Sequence, residues 1–271
     1  MISSKTSFIA LIGNPVKHSL SPIMHNAALK YLDLDLIYLS IPCEEKDFKI
    51  VINALKKINC KGLNVTIPFK EKVLKYCNQI SPLAQKIKAV NTLKLNERQE
   101  WDGINTDVDG LIYPLKEFNL NYKRSIILGS GGAARSAIQG MINLQMSEII
   151  IISRNNQALH SLLRDFKDQR TVKGLLADDK AIFDYISSAD LIINTTPVGM
   201  LKTYNEDEKL PFGINPWKSL NTKTIVYDLI YNPQKTYLIQ YCQNKGCQTL
   251  NGTKMLIAQG IKSLAYWTDG L

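Results

Sequence analysis

The segment Ser125–Ala134 reads SIILGSGGAA, and it decides the fold of this chain. Its first four residues predict a strand, and the stretch Ala133–Leu144 predicts a helix directly after the glycines. Counted from Gly129, the run matches the pattern G-x-G-x-x-A. Gly129 permits a tight turn, Gly131 lets a pyrophosphate approach the backbone, and Ala134 lets the helix pack close to the sheet. The segment therefore predicts a dinucleotide site at a helix N-terminus, with a glycine-rich turn that holds no ligand as the alternative.

The second strand of this series, Glu148 to Ile152, ends in Ser153 and Arg154. Folds that bind NAD usually carry Asp or Glu near this point to bond the ribose 2′-hydroxyl, and this sequence has neither there. A guanidinium suits a 2′-phosphate through paired, charge-assisted hydrogen bonds. Arg154 therefore favours NADP over NAD, unless it is an ordinary solvated arginine.

Short β-branched runs alternate with helix-like stretches along the rest of the chain, which predicts an α/β fold with mostly parallel sheets. The further predicted strands are Phe8–Ile12, Leu36–Ile41, Gly62–Thr66, Thr92–Leu95, Leu191–Asn194 and Thr224–Leu229. The further predicted helices are Pro22–Leu32, Glu44–Ile58 and Gln157–Phe166. Ser21 before Pro22 predicts a helix capped by serine. Asn121–Arg124 marks a junction between two series of elements, and Lys202–Lys218 predicts a surface loop.

The composition limits the class of protein. The 271 residues fit one large domain or two medium ones, and the formal net charge of +9 allows nucleic acid, a membrane surface or small anions as partner. No apolar run approaches the roughly 18 residues of a membrane span, and the N-terminal stretch lacks the features of a signal peptide. Five cysteines without a Cys-x-x-Cys pair argue against a disulfide framework and a structural zinc site. We therefore expect a reducing, cytoplasmic compartment and no metal.

Three polar clusters stand out in the first third of the chain: Ser19–Ser21, Asn64–Thr66 and Asn105–Asp107. Open α/β sheets place their ligands at strand ends, where such groups collect. Lys70 and Asp107 are the pair that could take part in a reaction, because the alkoxide formed when a hydride reaches a ketone needs a proton. A lysine ammonium can supply that proton, and a nearby carboxylate would fix the lysine's position and charge state.

Each of these side chains also has a structural interpretation. Lys70 stands in a Lys/Glu-rich stretch, and most lysines are solvated at the protein surface. Ser19 and Ser21 suit a helix cap, and Asn105 and Asp107 suit a turn. The residues alone leave both interpretations open.

Taken together, the motifs resemble the shikimate dehydrogenase family of the aromatic amino acid pathway. Eight segments follow the family's order across nearly the whole chain. They are Gly13–Pro22 (GNPVKHSLSP) with Met24-His25-Asn26, Gly62–Lys70 (GLNVTIPFK), Ala89–Thr92 (AVNT), Gly103–Asp107 (GINTD), Gly129–Ala134 (GSGGAA), Asn194–Met200 (NTTPVGM), Asp228–Pro233 (DLIYNP) and Gly252–Gln259. Any one of them is modest evidence, whereas eight in order leave little room for coincidence.

The resemblance implies reversible, NADPH-dependent reduction of 3-dehydroshikimate to shikimate in chorismate biosynthesis. It implies that Lys70 and Asp107 form a catalytic dyad, and that Ser19 and Ser21 hold the substrate carboxylate. The residues that it implies for the ring hydroxyls and the reacting centre are Asn64, Thr66, Lys70, Asn91, Thr106, Asp107 and Gln259, with Tyr231 nearby.

The resemblance also implies a site for NADP. The residues implied for the pyrophosphate are Gly129, Ser130, Gly131, Gly132 and Ala133, and those implied near the adenosine 2′-phosphate are Ser153, Arg154 and Asn155. The residues implied for the rest of the cofactor channel are Thr195, Thr196, Pro197, Met200, Leu229, Gly252 and Met255.

Two features depart from the family pattern. The family usually has Asn-Arg-Thr after the second strand and another basic residue four positions beyond the arginine, where this chain has Ser153-Arg154-Asn155 and Ala158. One basic contact thus stands where the family has two, which leaves the use of NAD open. Ser130 replaces a usual alanine in the glycine loop, and we expect little effect from its hydroxyl.

The implied architecture is two α/β domains. Residues 1–106 would form the substrate domain, and a C-terminal helix at 252–271 would fold back onto it. Residues 107–251 would form a Rossmann-type, doubly wound dinucleotide-binding domain. The resemblance places the active site in a cleft, with hinge closure gating the reaction.

Two other functions remain open at this point. A quinate/shikimate dehydrogenase of the same family would accept NAD or NADP, although serine at both 19 and 21 favours shikimate over quinate. A non-catalytic NADP-binding sensor on the same fold would be expected to lose the dyad, and Lys70 and Asp107 are both present. The basic residues are scattered without an aromatic-interleaved stripe, so we expect no nucleic-acid partner, no membrane partner, and a monomer or homodimer.

Overall fold

The structure is a computed structural model of the chain, and it describes residues 2–58, 60–118, 123–200 and 209–270. The chain divides into two compact units. Unit 1 comprises Met1–Asp107 and Ile257–Leu271, and unit 2 comprises Val108–Leu256. The boundaries fall after residues 107 and 256, whereas the division predicted from the sequence has them after residues 106 and 251.

Unit 1 is built on a mixed sheet. Its strands are β1 (Ser7–Gly13), β2 (Leu36–Pro42), β3 (Gly62–Val65), β4 (Cys77–Ile80), β5 (Thr92–Leu95) and β6 (Trp101–Ile104), in the order β2-β1-β3-β5-β6-β4. β5 runs antiparallel to β3 and to β6, while the other neighbours pair in parallel. The helices that precede residue 107 are α1 (Ser21–Tyr31), α2 (Phe48–Lys57), α3 (Pro82–Ile87) and a short 3₁₀ helix, Lys72–Tyr76.

The core of unit 1 explains why its central strands are apolar. β1 lies between β2 and β3, and alternate residues of β1 pack into two separate clusters: Ala10 and Ile12 in one, Ile9 and Leu11 in the other. Both faces are therefore buried, and its sequence reads as an almost unbroken apolar run. Ile9 and Ile12 of β1 are fully buried. Phe48 of α2 stacks on Phe69 with ring centroids 4.2 Å apart, which holds the helix against the turn that follows β3.

The helix starts in unit 1 differ from the predicted ones. Ser21 is the first residue of α1 rather than its cap; Leu20 occupies the cap position without a side-chain hydrogen bond. The reason is that Ser19 Oγ accepts the Ser21 backbone N–H at 3.2 Å and forms the turn instead. Helix α2 begins at Phe48, because the predicted start at Glu44 is a turn in which Asp47 N–H donates to the Glu44 carbonyl at 3.1 Å.

Unit 2 alternates strands and helices. Its strands are β7 (Arg124–Leu128), β8 (Glu148–Ser153), β9 (Val172–Leu176), β10 (Leu191–Asn194), β11 (Ile225–Asp228) and β12 (Gln248–Leu250). Its helices are α4 (Asp107–Leu115, which starts at the unit boundary), α5 (Gly132–Asn143), α6 (Asn156–Asp165), α7 (Ile182–Ser187), a 3₁₀ helix (Pro216–Ser219), α8 (Tyr237–Asn244) and α9 (Thr253–Trp267, which continues into unit 1).

The sheet of unit 2 has the predicted doubly wound topology. Its strand order is β12-β11-β10-β7-β8-β9, and the neighbouring strands pair in parallel. The order reverses at β7, which lies between β8 and β10, so the switch point lies where the β7 and β10 strands end. Ligands of doubly wound sheets bind at such a point, and the predicted glycine loop follows β7 there. The predicted α/β fold class is therefore confirmed.

Two predicted segments lie partly outside the described residues. Of the predicted loop at 202–218, the described part ends in the 3₁₀ helix named above. Of the predicted junction at 121–124, Arg124 is already the first residue of β7. Within the ranges that the structure describes, no helix is both long enough and apolar enough to cross a membrane.

Candidate active site

An ion pair lies beyond the ends of two strands of unit 1. Lys70 follows β3, and Asp107 follows β6 at the start of α4. Lys70 Nζ lies 2.6 Å from Asp107 Oδ2, and the two side chains are only 14% and 6% exposed. The alternative of a solvated surface lysine is therefore wrong. A charge-assisted hydrogen bond in a partly desolvated place holds the ammonium in one position, as a proton donor requires.

The carboxylate of Asp107 is held from its other side as well. Asn91 Nδ2 donates to Asp107 Oδ1 at 2.9 Å, so both carboxylate oxygens accept a hydrogen bond. The backbone N–H of Asp107 donates to Asn105 Oδ1 at 3.0 Å, and Asn105 Nδ2 donates to the Ala89 carbonyl at 3.0 Å. Asn105 thus forms the turn at the start of α4, which agrees with its interpretation as a turn residue. The Asp107 side chain, in contrast, is committed to Lys70.

Asn91 connects this ion pair to a buried set of hydroxyls. Its Nδ2 also donates to Thr106 Oγ1 at 2.9 Å, and its Oδ1 accepts the Thr106 backbone N–H at 2.8 Å. The Thr92 hydroxyl donates to the same Oδ1 at 3.1 Å. A buried polar network whose members are all bonded is rigid, because each lost bond would leave a desolvated polar group.

Asn64 at β3 extends the network. Its Oδ1 accepts the Tyr38 hydroxyl at 2.7 Å, and its Nδ2 donates to Thr92 Oγ1 at 3.1 Å and to Ser263 Oγ at 3.2 Å. Thr106 Oγ1 lies 3.5 Å from Gln259 Oε1. The structure therefore brings together a set of residues predicted from the sequence, namely Asn64, Lys70, Asn91, Thr106, Asp107 and Gln259.

Ser19, Ser21 and Thr66 belong to the same unit, but the hydrogen bonds of the described residues do not tie them into that network. Ser19 is half-buried and Ser21 is buried, and the two are joined by the turn before α1. Thr66 follows β3 and its backbone N–H donates to the Ile12 carbonyl at 3.0 Å. Their predicted contacts with a substrate stay predictions.

The glycine loop after β7 fits a dinucleotide. Gly129 has φ = +108°, a conformation that side chains disfavour, and a Cβ on it would lie 2.7 Å from Thr195 Oγ1. A Cβ on Gly131 would meet no atom within 4 Å, so the space beside this residue is open to a phosphate. Gly132 and Ala133 begin α5, whose 12 residues give the first N–H groups a full helix dipole.

The turn after β8 presents Arg154. Ser153 Oγ accepts the Asn155 backbone N–H at 3.1 Å, and Asn155 Oδ1 caps α6 by accepting the Ala158 N–H at 2.9 Å. Ser130 of the glycine loop lies 2.9 Å from Ser153, hydroxyl to hydroxyl. Arg154 is exposed between these bonded residues, so the backbone of the turn that presents it is fixed on both sides.

Arg154 also lines a cavity of about 470 Å³. Ala177 and Asp178, which follow β9, line one part of the cavity, and Phe212 lines another part. One basic and one acidic side chain therefore line the space. The size suits the adenosine end of a dinucleotide, and a single guanidinium is the cationic group in its lining.

A buried carboxylate joins the segments after β10 and β11. Asp228 accepts Asn194 Nδ2 at 3.0 Å and the Ile230 N–H at 3.2 Å on Oδ1, and the Thr236 hydroxyl at 2.6 Å on Oδ2. Asn194 Oδ1 in turn accepts the Thr196 hydroxyl at 2.7 Å. Burial raises the pKa of Asp228 to about 6, against the lowering effect of these hydrogen bonds.

The predicted residues after β10 lie in a short, ordered turn. The Thr195 hydroxyl donates to the Leu128 carbonyl at 2.6 Å, which ties this turn to the end of β7. The Met200 N–H donates to the Pro197 carbonyl at 3.1 Å. Thr195 thus lies directly beside the glycine loop at the switch point of the sheet.

The predicted residues after β11 are held by backbone bonds. Leu229 N–H donates to the Asn194 carbonyl at 3.1 Å, and Tyr231 is half-buried just beyond. A Cβ on Gly252 would lie 2.0 Å from the Leu229 carbonyl oxygen, so close packing explains this glycine. Met255 is buried near the start of α9.

Several residues of these networks are absent from the predicted site residues, namely Tyr38, Thr92, Asn194, Asp228, Thr236 and Ser263. Ser263 could have been predicted from its spacing, since it follows Gln259 by four residues on a helix and therefore lies on the same face. No sequence pattern could have predicted Tyr38, because only the pairing of β1 with both β2 and β3 brings it to Asn64.

Comparison with known proteins agrees with this geometry. A family model described as the shikimate dehydrogenase substrate binding domain matches residues 11–93. A curated relative from Prochlorococcus marinus subsp. pastoris, named shikimate dehydrogenase (NADP(+)), is 62% identical over 271 residues, which is 100% of this chain and 95% of the relative.

Solved structures match over nearly the full length as well. The shikimate dehydrogenase from Aquifex aeolicus is 30% identical with a TM-score of 0.86, and the match covers 99% of this chain and 95% of that one. A shikimate 5-dehydrogenase from Listeria monocytogenes, solved in complex with shikimate and NAD, is 32% identical with a TM-score of 0.83, covering 99% and 93%.

Proposed function

The chain belongs to the shikimate dehydrogenase family, and we propose that it uses Lys70 and Asp107 for the reversible, NADP-dependent interconversion of 3-dehydroshikimate and shikimate. It is an oxidoreductase that serves aromatic amino acid biosynthesis through chorismate. The observation that carries the proposal is the 2.6 Å ion pair between Lys70 and Asp107, which is partly buried and bonded on both carboxylate oxygens.

The proton step follows from that pair. When bound, NADPH supplies the hydride that reaches the carbonyl carbon. The Lys70 ammonium gives a proton to the carbonyl oxygen, so the ketone becomes an alcohol and the lysine is left neutral. Asp107 pairs with the charged lysine before the transfer and holds its side chain in position. In the reverse direction the neutral amine accepts the hydroxyl proton.

The remaining residues of unit 1 supply recognition. Asn64, Asn91, Thr106 and Gln259 offer amide and hydroxyl groups that match the ring hydroxyls of shikimate. Ser19 and Ser21 offer two hydroxyls for its carboxylate, and Thr66 adds another. We assign Tyr231 of unit 2 to the same substrate. Unit 1 is accordingly the substrate unit, which corresponds to the predicted residues 1–106 with the C-terminal helix.

Unit 2 supplies the cofactor groups. The N–H groups at Gly131 and Ala133 would hold the pyrophosphate, with the open space beside Gly131 in support. Arg154 would bond the 2′-phosphate, with Ser153 and Asn155 fixing its backbone. The residues that we assign to the rest of the channel are Thr195, Thr196, Pro197, Met200, Leu229, Gly252 and Met255.

The direct test compares shikimate and quinate, each with NADP⁺ and with NAD⁺, in one purified preparation. We expect the highest kcat/KM for shikimate with NADP⁺. Lys70→Ala should lower kcat by about 10²- to 10⁴-fold with little change in the KM for shikimate. A higher kcat/KM for quinate with NAD⁺ would overturn the assignment, and a Lys70→Ala variant that changes only KM would make Lys70 a binding group.

The cofactor assignment has its own matched pair of variants. Arg154→Ala should raise the KM for NADP⁺ by about 10- to 100-fold, the value of a lost charged hydrogen bond, and leave the KM for NAD⁺ nearly unchanged. Arg164→Ala, on the last turn of α6, removes the same charge from the same unit and serves as the control. Equal effects of both variants would show that only net charge matters.

We also propose a cytoplasmic location and a monomeric or homodimeric enzyme. The five cysteines are free thiols in the structure, which suits a reducing compartment. Light scattering during size-exclusion chromatography measures the oligomeric state directly.

A further inference from the structure

Helix α9 carries a buried hydroxyl into the substrate network. Ser263 lies one helical turn after Gln259, and its Oγ donates to the Gln259 backbone carbonyl at 3.0 Å. The residue is fully buried. A serine hydroxyl within a helix can hydrogen-bond to a carbonyl of the preceding turn and make no other contact. The Ser263 oxygen has additional contacts, because three side chains from other parts of unit 1 lie within hydrogen-bond distance of it.

The three side chains come from two strands and a strand end. Ser263 Oγ lies 2.8 Å from Thr92 Oγ1, 3.2 Å from Thr106 Oγ1 and 3.2 Å from Asn64 Nδ2. A serine hydroxyl has one proton and two lone pairs. The Thr92 proton is used on Asn91 Oδ1, so with the Ser263 proton on the Gln259 carbonyl the oxygen can accept from the Asn64 amide and from the Thr106 hydroxyl. Its hydrogen-bonding capacity is then used in full.

We propose that Ser263 is a positioning residue for substrate binding, which orients the Asn64 amide and the Thr106 hydroxyl toward the ring hydroxyls of shikimate. The proposal rests on the function assigned above to Asn64 and Thr106. Asn64 Oδ1 accepts the Tyr38 hydroxyl, and Asn64 Nδ2 also lies within hydrogen-bond distance of Thr92 Oγ1 and the Asn91 carbonyl, so Ser263 is one of the partners that together fix the orientation of the amide. Without the serine oxygen, the Asn64 amide and the Thr106 hydroxyl each lose a partner and gain rotational freedom.

The residue directly after α9 offers a close control. Thr268 Oγ1 donates to the Leu264 carbonyl at 2.9 Å, which is the same bond to the preceding turn, and Thr268 is half-buried. Among the described residues, its hydroxyl makes no hydrogen bond to the network. Thr268→Ala therefore removes a hydroxyl that makes the same bond to the preceding turn, without touching the site.

The experiment measures steady-state kinetics and the unfolding midpoint of the full-length enzyme. Ser263→Ala should raise the KM for shikimate by about 3- to 10-fold, the value of one to two neutral hydrogen bonds, with kcat and the KM for NADP⁺ within about twofold of the wild type. Thr268→Ala should leave both KM values unchanged. If Ser263→Ala folds poorly, Ser263→Cys, with a weaker hydrogen-bonding group of similar size, should give a smaller rise in the same KM.

A double-mutant cycle separates positioning from general damage. If Ser263 acts through Asn64, the Asn64→Ala/Ser263→Ala enzyme should have nearly the same KM for shikimate as Asn64→Ala alone. Additive effects both in this cycle and in the same cycle with Thr106→Ala, or equal rises in the KM for both ligands, would overturn the proposal. A wild-type enzyme that does not oxidise shikimate would refute the proposed function, whereas an active wild type with an unchanged Ser263→Ala KM would refute only the role of Ser263.

Discussion

Two buried carboxylates, one in each unit, differ in the partners that they bind. Asp107 of unit 1 accepts hydrogen bonds from the Lys70 ammonium and the Asn91 amide. Asp228 of unit 2 accepts them from an amide, a backbone N–H and a hydroxyl, all of which are neutral. Burial raises the pKa of Asp228 to about 6. The partner therefore decides the chemistry: a cation beside a carboxylate makes a proton donor, whereas neutral donors make a clamp for loops.

The sharpest test of this difference replaces each carboxylate by its amide. Asp107→Asn should lower kcat for shikimate oxidation by about 10²- to 10⁴-fold, because Lys70 loses the charged partner that holds its side chain in position. Asp228→Asn should lower kcat by less than about tenfold, since an amide keeps the shape of the clamp and no proton is transferred there. Steady-state kinetics at saturating shikimate and NADP⁺ measure both. Similar losses of kcat in the two variants would break the comparison.

His25 gives unit 1 an acid sensitivity. It is buried, it stacks on Tyr38 with ring centroids 4.5 Å apart, and its Nε2 has no partner among the described residues. Burial lowers the pKa of His25 from 6.5 to about 4. Below pH 6.5 the unfolded chain binds the proton first, so the folded state loses stability as the pH falls, by up to about 3 kcal/mol near pH 4.

The measurement is urea unfolding of unit 1 between pH 7.5 and pH 4.5. Trp217→Phe removes the tryptophan of unit 2, so that fluorescence reports Trp101 and Trp267 of unit 1. His25→Phe, which keeps a ring against Tyr38, should make the stability of unit 1 less dependent on pH. An unchanged pH slope in His25→Phe would show that another group causes the acid sensitivity.

Asp228 should give unit 2 the opposite pH response. Its pKa is raised from 3.8 to about 6, so the folded state holds a proton that the unfolded chain has already lost between these values. Its contribution to stability is therefore full below pH 3.8 and falls as the pH rises through 6, by about 2 to 3 kcal/mol. Asp228→Asn mimics the protonated form and should be more stable than the wild type at pH 8.

The control for this prediction is the same pair of enzymes at pH 4, where the difference in unfolding free energy should shrink. Hydrogen exchange of the β10 and β11 amides follows unit 2 specifically. A variant that is less stable than the wild type at pH 8 would mean that the three hydrogen bonds to the charged carboxylate outweigh its burial.

The two units also differ in how much of them could be predicted from the sequence. The doubly wound order of unit 2 follows from a strand, a glycine loop and a helix that are contiguous in the chain, and the predicted strand and helix of SIILGSGGAA lie within a residue of β7 and α5. In unit 1, β4 reads CNQI and carries no β-branched run, so only its pairing with β6 makes it a strand.

The candidate site divides in the same way. Residues in local motifs, such as Lys70 and Asn91, could be named from the sequence through the family resemblance. Asp228 lay inside a quoted motif, yet nothing local distinguishes a clamp from a ligand-binding carboxylate. Tyr38 and Ser263 act through contacts between residues far apart in the chain, and those contacts exist only once the sheet and α9 have packed.

The smallest expected effect concerns the departure in the glycine loop. The Ser130 and Ser153 hydroxyls lie 2.9 Å apart, so Ser130 supports the turn that presents Arg154. Because Ser153 Oγ keeps its bond to the Asn155 N–H, Ser130→Ala should change the KM for NADP⁺ by less than about threefold and the unfolding free energy by less than about 1 kcal/mol. Ser153→Ala removes both bonds and should have the larger effect on the same KM. A different result, in which Ser130→Ala raises the KM for NADP⁺ about tenfold and leaves the KM for NAD⁺ unchanged, would make the hydroxyl a contact of the 2′-phosphate. The neutral Ser130 hydroxyl would then take the place of the second basic residue of the family, where this chain has Ala158.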